Sequence, residues 1–477
     1  MTYLDSLDCT LPHYSVVIVG GGFSGAVLAA HLVSQADDAL PVMVVDRGPV
    51  RGRGVAYGTQ CGGHLLNVPA GNMSAFHDQP DHFLRWAQAH YDRAVTAVRF
   101  LPRRVYGQYL EWVLAEAAEE RPGRIVWKTD EVESVIRNGE AATMRLRSGK
   151  MLTADKVVLA LGNFPPAASG LPETVRKSRA YIRNPWAQGA LYGTENDDSI
   201  LVVGSGLTGI DAVIGLRARG FKGVVHLLSR HGLLPQKHKP GRAWPAFWNA
   251  DASRTARGLL RLVRQQVKAA GQHGSDWRAV IDSLRSFTPA IWQALPIEEK
   301  RRFLRHLRPY WEIHRHRIAP EIGCLLEQQL GSGEIETHAG RIVDCQEQED
   351  KIEVIFRDRR TGEHLRFMVD RVLNCTGPET DCRKLNDPLV NDLLRQGLVR
   401  PDPLHVGLDV AEDGAVIDAQ GVPSNLIYTV GPARKGRLWE TTAVPEIRQQ
   451  VADLASLLMA GRGRVEIRAT ETLFAAD

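Results

Sequence analysis

The 477-residue sequence predicts an α/β protein built from two Rossmann-like domains, the second inserted in the first, with an extra helical segment. Three observations predict it. "VVIVGGGFSG" (16–25) and "LVVGSGLTGID" (201–211) are each a run of apolar β-formers followed by glycines spaced G-x-G-x-x-G. Strand patterns resume late in the chain, in "DRVLNCTG" and "NLIYTVGP", so the first domain is interrupted and later completed.

In the first unit, "HYSVVIVGGGFSGAVLAAHLVSQ" reads as a buried strand, a glycine turn and a helix with small residues on one face. Gly20 permits the tight turn, Gly22 lets the backbone approach a pyrophosphate, and Gly25 lets helix and strand pack closely. The helix N-terminus offers phosphates its free N–H groups and partial positive charge. The next strand, "PVMVVDRG", ends in Asp46-Arg47. A carboxylate at Asp46 can accept both ribose hydroxyls of an adenosine, and Arg47 beside it is taken as a second cofactor contact.

Gly204, Gly206 and Gly209 repeat the device, but the strand that follows, "GVVHLLSRHG", ends in Ser229-Arg230. An acid there would repel a 2′-phosphate, whereas Arg and Ser bind one. The first unit is therefore expected to hold an adenine dinucleotide without that phosphate, and the second NADPH. One would deliver hydride to the other.

The expected domains are 1–195, 196–334 and 335–477, the outer two forming one domain and the middle one carrying a helical insert at about 236–325. The net charge of +4 hides an asymmetry. From Gln236 to Ile318 there are 17 Lys+Arg against 6 Asp+Glu, a balance of +11 that leaves −7 elsewhere. Such an insert reads either as a solvated basic face or as a funnel for a polyanionic cofactor or acidic substrate. No nucleic-acid motif accompanies the charge, so no nucleic-acid partner is expected. No stretch reads as a membrane span, and the opening "MTYLDSLDCT" lacks the features of a secretory signal. The six cysteines (Cys9, Cys61, Cys324, Cys345, Cys375, Cys382) show no C-x-x-C and no metal spacing. Reduced thiols in a cytoplasmic protein, and no metal, are the expectation.

Other clusters are weaker signals. His314 and His316 sit two apart, on different helix faces, which disfavours a metal. "GRAWPAFWN" (242–249) reads as a core plug or a loop over the nicotinamide, and Tyr310 and Trp311 as core.

The two glycine turns, with "VLALGNFPP" and "VLNCTGPETD", resemble the flavoproteins with two dinucleotide-binding domains, in which such strands cross between FAD and NADP domains. Gly162 and Gly377 are then the crossing glycines. More closely, "GRGVAYGT" with "GGHLLNVPAGNMSAFHDQPDHFLRWA" is similar to a bacterial family of FAD/NAD(P)-binding proteins related to the class B flavin monooxygenases, including amine N-hydroxylases. That resemblance implies that Asn67, Met73, Phe76, Asp78 and Pro80 lie beside the isoalloxazine of FAD. It implies that the Asn67 carboxamide supports the flavin's C4a oxygen adduct, the other reading being that Asn67 caps the turn before Pro69. His64 is the next candidate. Two departures matter. The F-x-G-x-x-x-H pattern of flavin-containing monooxygenases is missing from "SRAYIRNPWAQGALYG", and Pro432 follows Gly431 where an Asp is usual. The flavin would instead be held by backbone N–H groups from Trp439 to Pro445, Thr442 among them, where a helix begins.

The implied function is an NADPH-dependent FAD monooxygenase acting with O₂ on a small nucleophilic substrate, N-hydroxylation of an amine being one such reaction. The alternative is an FAD-dependent NAD(P)H oxidoreductase with an acceptor other than oxygen. A non-enzymatic module is disfavoured by two intact fingerprints. The sequence leaves the oligomeric state open.

Overall fold

The computed structural model describes residues 11–35, 41–167, 170–195 and 197–473. Cys9 and residue 196, at one expected boundary, lie outside them. In chain order the strands are β1 (His13–Val19), β2 (Val42–Asp46), β3 (Ile125–Thr129), β4 (Val132–Asn138), β5 (Ala141–Leu146) and β6 (Met151–Leu159). Then come β7 (Tyr181–Ile182), β8 (Ile200–Val203), β9 (Val225–Ser229), β10 (Ile335–Gln348), β11 (Lys351–Asp358), β12 (His364–Val369) and β13 (Arg371–Asn374). The chain closes with β14 (Ala415–Ile417) and β15 (Pro423–Thr429).

One sheet has the order β14-β15-β6-β1-β2-β3, with β5 on β6 and β4 on β5. The other runs β12-β11-β10-β9-β8-β13-β7. Strands β7 to β13 are thus consecutive and all belong to the second sheet, as an inserted domain requires. In both sheets the central strands are parallel. Their near-continuous apolar runs are what a sheet covered on both faces demands, and residues such as Val17, Ile18, Leu201 and Val202 are fully buried.

The inserted domain is larger than the sequence reading allowed. It takes strands from Tyr181 to Asn374, so β10 to β13 extend the second sheet instead of resuming the first at 335. The cause lies in β10. Its first half, Ile335–Ala339, pairs parallel with β9, and from Gly340 it pairs antiparallel with β11. Gly340 sits at the change of partner, where an added Cβ would lie 2.6 Å from the Arg357 carbonyl oxygen. Which strand a run pairs with is a tertiary choice that its hydrophobic pattern does not record. The two segments crossing between domains lie side by side, bridged at Pro166 and Pro378, and the Glu379 N–H donates to the Pro165 carbonyl at 3.1 Å.

The first-domain core buries the helix Phe23–Gln35 against the helix Arg103–Glu120 and the final helix, through Val27, Leu28, Tyr106, Leu110, Val451 and Leu454. The basic segment folds as five α-helices and one 3₁₀ turn between Ala256 and Arg315. The helix Pro320–Gly331 instead buries Ile322 and Leu326 in the second-domain core, so the helical insert ends short of 325. The insert docks on the first domain through Trp292, which stacks on Trp439 with ring centres 4.8 Å apart. Many of its cations are paired, Arg285 and Arg315 both with Glu446, while Arg257, Arg261, Arg264 and Lys268 form an exposed stripe. No helix among the described residues is long and apolar enough to cross a membrane.

Candidate cofactor and active site

The first and third glycines of the two turns make matching contacts. Gly20 has φ 104° and a Cβ there would lie 2.3 Å from the Ala160 carbonyl oxygen; Gly204 has φ 110° and the same 2.3 Å to the Cys375 oxygen. Each first glycine therefore fits under the end of the strand that crosses between domains. A Cβ at Gly25 would come within 1.9 Å of the Gly20 oxygen, and one at Gly209 within 2.3 Å of the Gly204 oxygen. These positions admit only glycine, since helix and strand touch through bare backbone. The middle glycines differ. A Cβ on Gly206 would meet nothing within 4 Å, which leaves an open cradle at the helix start. Gly22 faces Gly54 at 3.4 Å, because the loop after β2 crosses the turn and the Gly52 N–H donates to the Gly21 oxygen at 3.0 Å. The glycines of "GRGVAYG" are thus explained by that crossing.

The ends of β2 and β9 differ in what their side chains engage. The Asp46 carboxylate accepts from the N–H groups of Gly21 (2.5 Å) and Gly48 (2.7 Å), which holds it at the mouth of the first turn. Arg47 points elsewhere and pairs with Glu131 (3.4 Å) and Asp387 (3.3 Å). The Ser229 hydroxyl is bound to Ser205 (2.8 Å) and accepts from the Gly232 N–H (3.0 Å), so it shapes the turn after β9. Arg230 is exposed and has no ion pair among the described residues. It does not stand alone. Burial lowers the affinity of His231 for a proton, and the charges of Arg359, Arg230 and Arg341 lower it further. Arg341 and Arg359, both exposed, come from β10 and the turn after β11, so sequence proximity to the glycine turn gave no sign of them.

The remaining cofactor positions flank the two turns. Gly162 (φ 65°) and Gly377 (φ 91°) each lie two residues past the carbonyl that caps a first glycine, and a Cβ on either would meet nothing within 4 Å. Gly431 (φ 81°) abuts Ser24, since its Cβ would lie 3.0 Å from the Ser24 oxygen. The buried Thr441 hydroxyl donates to the Gly431 carbonyl (2.8 Å), and Gln450 accepts from the Gly431 N–H (3.0 Å). With this ring of hydrogen bonds the segment after β15 is held without the usual Asp. Thr442 is exposed, and among the described residues the N–H groups of Thr442 and Ala443 have no hydrogen-bond acceptor. Together with the open glycine cradles, these unspent donors fit a bound dinucleotide. Next to them, burial would raise the Glu440 carboxyl, but His316, Arg315 and the Trp311 N–H outweigh it and hold it well below the usual carboxylate range.

Of the residues placed beside the flavin by resemblance, Asn67 lies at the seam between domains, Met73 and Phe76 pack in or against the first-domain core, and Asp78 and Pro80 lie at the surface. The Asn67 carbonyl accepts from His238 Nε2 at 3.0 Å, which ties it to the second domain. Its carboxamide has no hydrogen bond within the described residues, and the 3₁₀ turn Ala70–Asn72 that follows Pro69 has no side-chain cap. Met73 is buried in the first-domain core. Phe76 packs against His31 and His82, more than a turn along the helix from the glycines, and Asp78 and Pro80 are exposed. His64 is buried, with Nδ1 on the Thr59 hydroxyl (2.7 Å) and Nε2 on the Asp211 carbonyl (2.8 Å). It fastens the loop 59–67 to the helix Leu207–Arg217 and has no nitrogen left for chemistry. A buried ion pair, Arg103–Asp211 at 2.8 Å, supports the same junction. His314 and His316 face different partners, Tyr310 and Glu440. Trp311 packs in the insert's small core, whereas Tyr310 is exposed. The 242–249 segment is a loop lying on the insert, with Trp244 bonded to Gln266 (3.0 Å).

Two dinucleotide-binding domains, one inserted in the other and both crossed by glycine-ended strands, define the fold of the two-domain flavoproteins. Residues 17–164 match a family model described as FAD-NAD(P)-binding. Over almost its whole length the chain is similar to the ornithine N-hydroxylase of Kutzneria sp. 744, with 14% identity and a TM-score of 0.64 over 94% of this chain and 100% of that one. The ornithine hydroxylase of Pseudomonas aeruginosa gives 18% identity and 0.62, covering 94% and 98% of the two chains. L-lysine 6-monooxygenase from Pseudomonas syringae gives 16% and 0.64, covering 94% and 99%. At such identities the likeness is one of fold. No curated protein sequence matches the chain.

Proposed function

We propose that the protein is an NADPH-dependent FAD monooxygenase that oxygenates a small nucleophilic substrate, an amine being the class its structural neighbours point to. The observation that carries this reading is the duplicated glycine turn with unlike ends, Asp46 on one and the uncommitted Arg230 on the other. When bound, FAD supplies hydride acceptance and oxygen activation. The chain's part is to bind and to orient. Gly22, Gly25, Asp46, Gly431 and the N–H groups of Thr442 and Ala443 would hold FAD, while Gly206, Gly209, Arg230, Arg341 and Arg359 would hold NADPH. Asn67 would present a neutral donor at the seam, able to hydrogen-bond to an oxygen without protonating it.

The test uses full-length protein with FAD and NADPH in air, with basic amino acids and aliphatic diamines as candidate substrates. One or more amines should give a hydroxylamine in proportion to NADPH consumed. If every amine leaves the consumed NADPH recovered as hydrogen peroxide, the monooxygenase reading fails and an oxidoreductase with another acceptor replaces it. If FAD is not retained, the two-dinucleotide reading falls as well.

A further inference from the structure

The face of the second sheet turned toward the β10–β12 meander carries a cluster with no part in the proposed reaction. His226 on β9 lies directly opposite Glu336 on β10, and His338 is two residues further along β10 on the same face. Their donor atoms form a triangle. His226 Nδ1 is 3.2 Å from His338 Nε2 and 3.2 Å from Glu336 Oε2, and the His338 nitrogen is 3.6 Å from the same oxygen. We propose that His226, Glu336 and His338 bind a four-coordinate divalent cation, zinc by its ligand set, with water as the fourth ligand.

Three arguments carry the assignment. The first is size. A tetrahedral centre with bonds of about 2.0–2.1 Å has ligand–ligand edges of about 3.3 Å, and the three observed edges bracket that value. The second is hydrogen-bond accounting. Each neutral imidazole brings at most one N–H into the triangle, and an N–H aimed along one edge is not aimed along the other. Three mutually close acceptor atoms are better matched by one central cation than by shared protons. The third is rigidity. The His226 ring is stacked on Phe367 (14° between planes, centres 4.7 Å apart), and His338 meets Phe356 edge-on at 5.4 Å, so both rings are locked by aromatic packing. Glu336 is exposed, which leaves an open side for entry and for water. Two imidazoles and one carboxylate suit zinc better than the harder calcium or magnesium. A cation here would staple β9 to β10, three residues before Arg341 on β10 and four before Arg230, which follows the end of β9. Sequence spacing could not announce it, because one ligand precedes the others by more than a hundred residues.

The experiment uses tag-free full-length protein, stripped with a chelator and dialysed against Zn²⁺. The parent should retain one zinc per chain and melt at a higher temperature with the metal than without it. Glu336→Gln and His338→Ala should each weaken binding by about 10²-fold or more and abolish the shift. Replacement by Co²⁺ should give the intense visible bands of a four-coordinate ion. A parent that keeps no stoichiometric zinc, or variants that keep as much as the parent, would overturn the proposal. Because Glu336 is exposed, Glu336→Gln decides the matter even if a histidine variant fails to fold. FAD content and NADPH oxidation report separately on the proposed redox reaction, which this site does not require.

Discussion

Asn67 and Arg230 are polar groups whose side chains make no bond within the described protein. For Arg230 the expected ligand is a 2′-phosphate. A charge-assisted contact contributes roughly 1.5–3 kcal/mol, about one to two decades in affinity. Arg230→Ala should raise the half-saturating NADPH concentration by that factor and leave the value for NADH nearly unchanged. Because the charges of Arg341 and Arg359 act on His231 together with that of Arg230, Arg230→Ala with Arg359→Ala should lose more than either alone. Equal losses for the two nucleotides would make Arg230 a fold residue. Asn67 is expected to matter after flavin reduction. Asn67→Ala should oxidise NADPH at close to the parent rate while diverting oxygen to hydrogen peroxide, with a loss of ~10²–10³ in the oxygenation step. If peroxide release matches that of the parent, Asn67 has no such role.

The glycine turns show how two residues of one type in one motif can do different work. Gly209 is jammed against the Gly204 carbonyl, whereas Gly206 borders open space. Gly209→Ala should therefore misplace the whole helix Leu207–Arg217, lowering the melting temperature with or without nucleotide. Gly206→Ala should fold as the parent does and lose NADPH affinity, because its methyl group enters the cradle. Thermal melts of the two variants with and without NADPH distinguish these outcomes, and a Gly206→Ala protein that binds NADPH normally would place the phosphates elsewhere. The helical insert follows another logic. Its Trp311 and His316 reach Glu440, and Arg285 and Arg315 reach Glu446, so much of its basic character near the first domain is spent on docking. On the helix Ala256–Gln272, Arg257, Arg261, Arg264 and Lys268 stay exposed.

In the whole molecule three polar ties add to the docking of the insert across the seam: Arg103–Asp211, His64 to the Asp211 carbonyl, and His238 to the Asn67 carbonyl. His238 makes this junction sensitive to acid. Burial, then the charge of Arg317, pushes its pKa down to about 4. The folded value lies below the ordinary 6.5, so the unfolded chain binds the extra proton first. The stability His238 contributes is present above about pH 6.5 and is lost as pH falls toward 4, up to about 3 kcal/mol. Urea unfolding of the parent should weaken across that window, and His238→Gln should flatten the dependence. A variant that weakens with acid as steeply as the parent would exclude His238 as the source.

Both glycine turns, the helices they open and the contrast between Asp46 and Arg230 were legible from residue order alone. Each is a local device whose parts lie within about thirty residues, with conformations imposed by steric limits that only glycine escapes. Insertion of one domain in the other was legible too, because strand patterns resume. Everything that needed a partner from a distant strand was not. The extent of the second sheet hinged on β10 changing partners at Gly340, Arg341 and Arg359 reach the surroundings of His231 through that same strand and hairpin, and Met73 and Phe76 pack in or against the first-domain core. His226 meets Glu336 and His338 only because β9 and β10 pair in one register. Hydrophobic pattern and glycine spacing specify what an element is, while the choice of neighbour depends on packing summed over the whole chain.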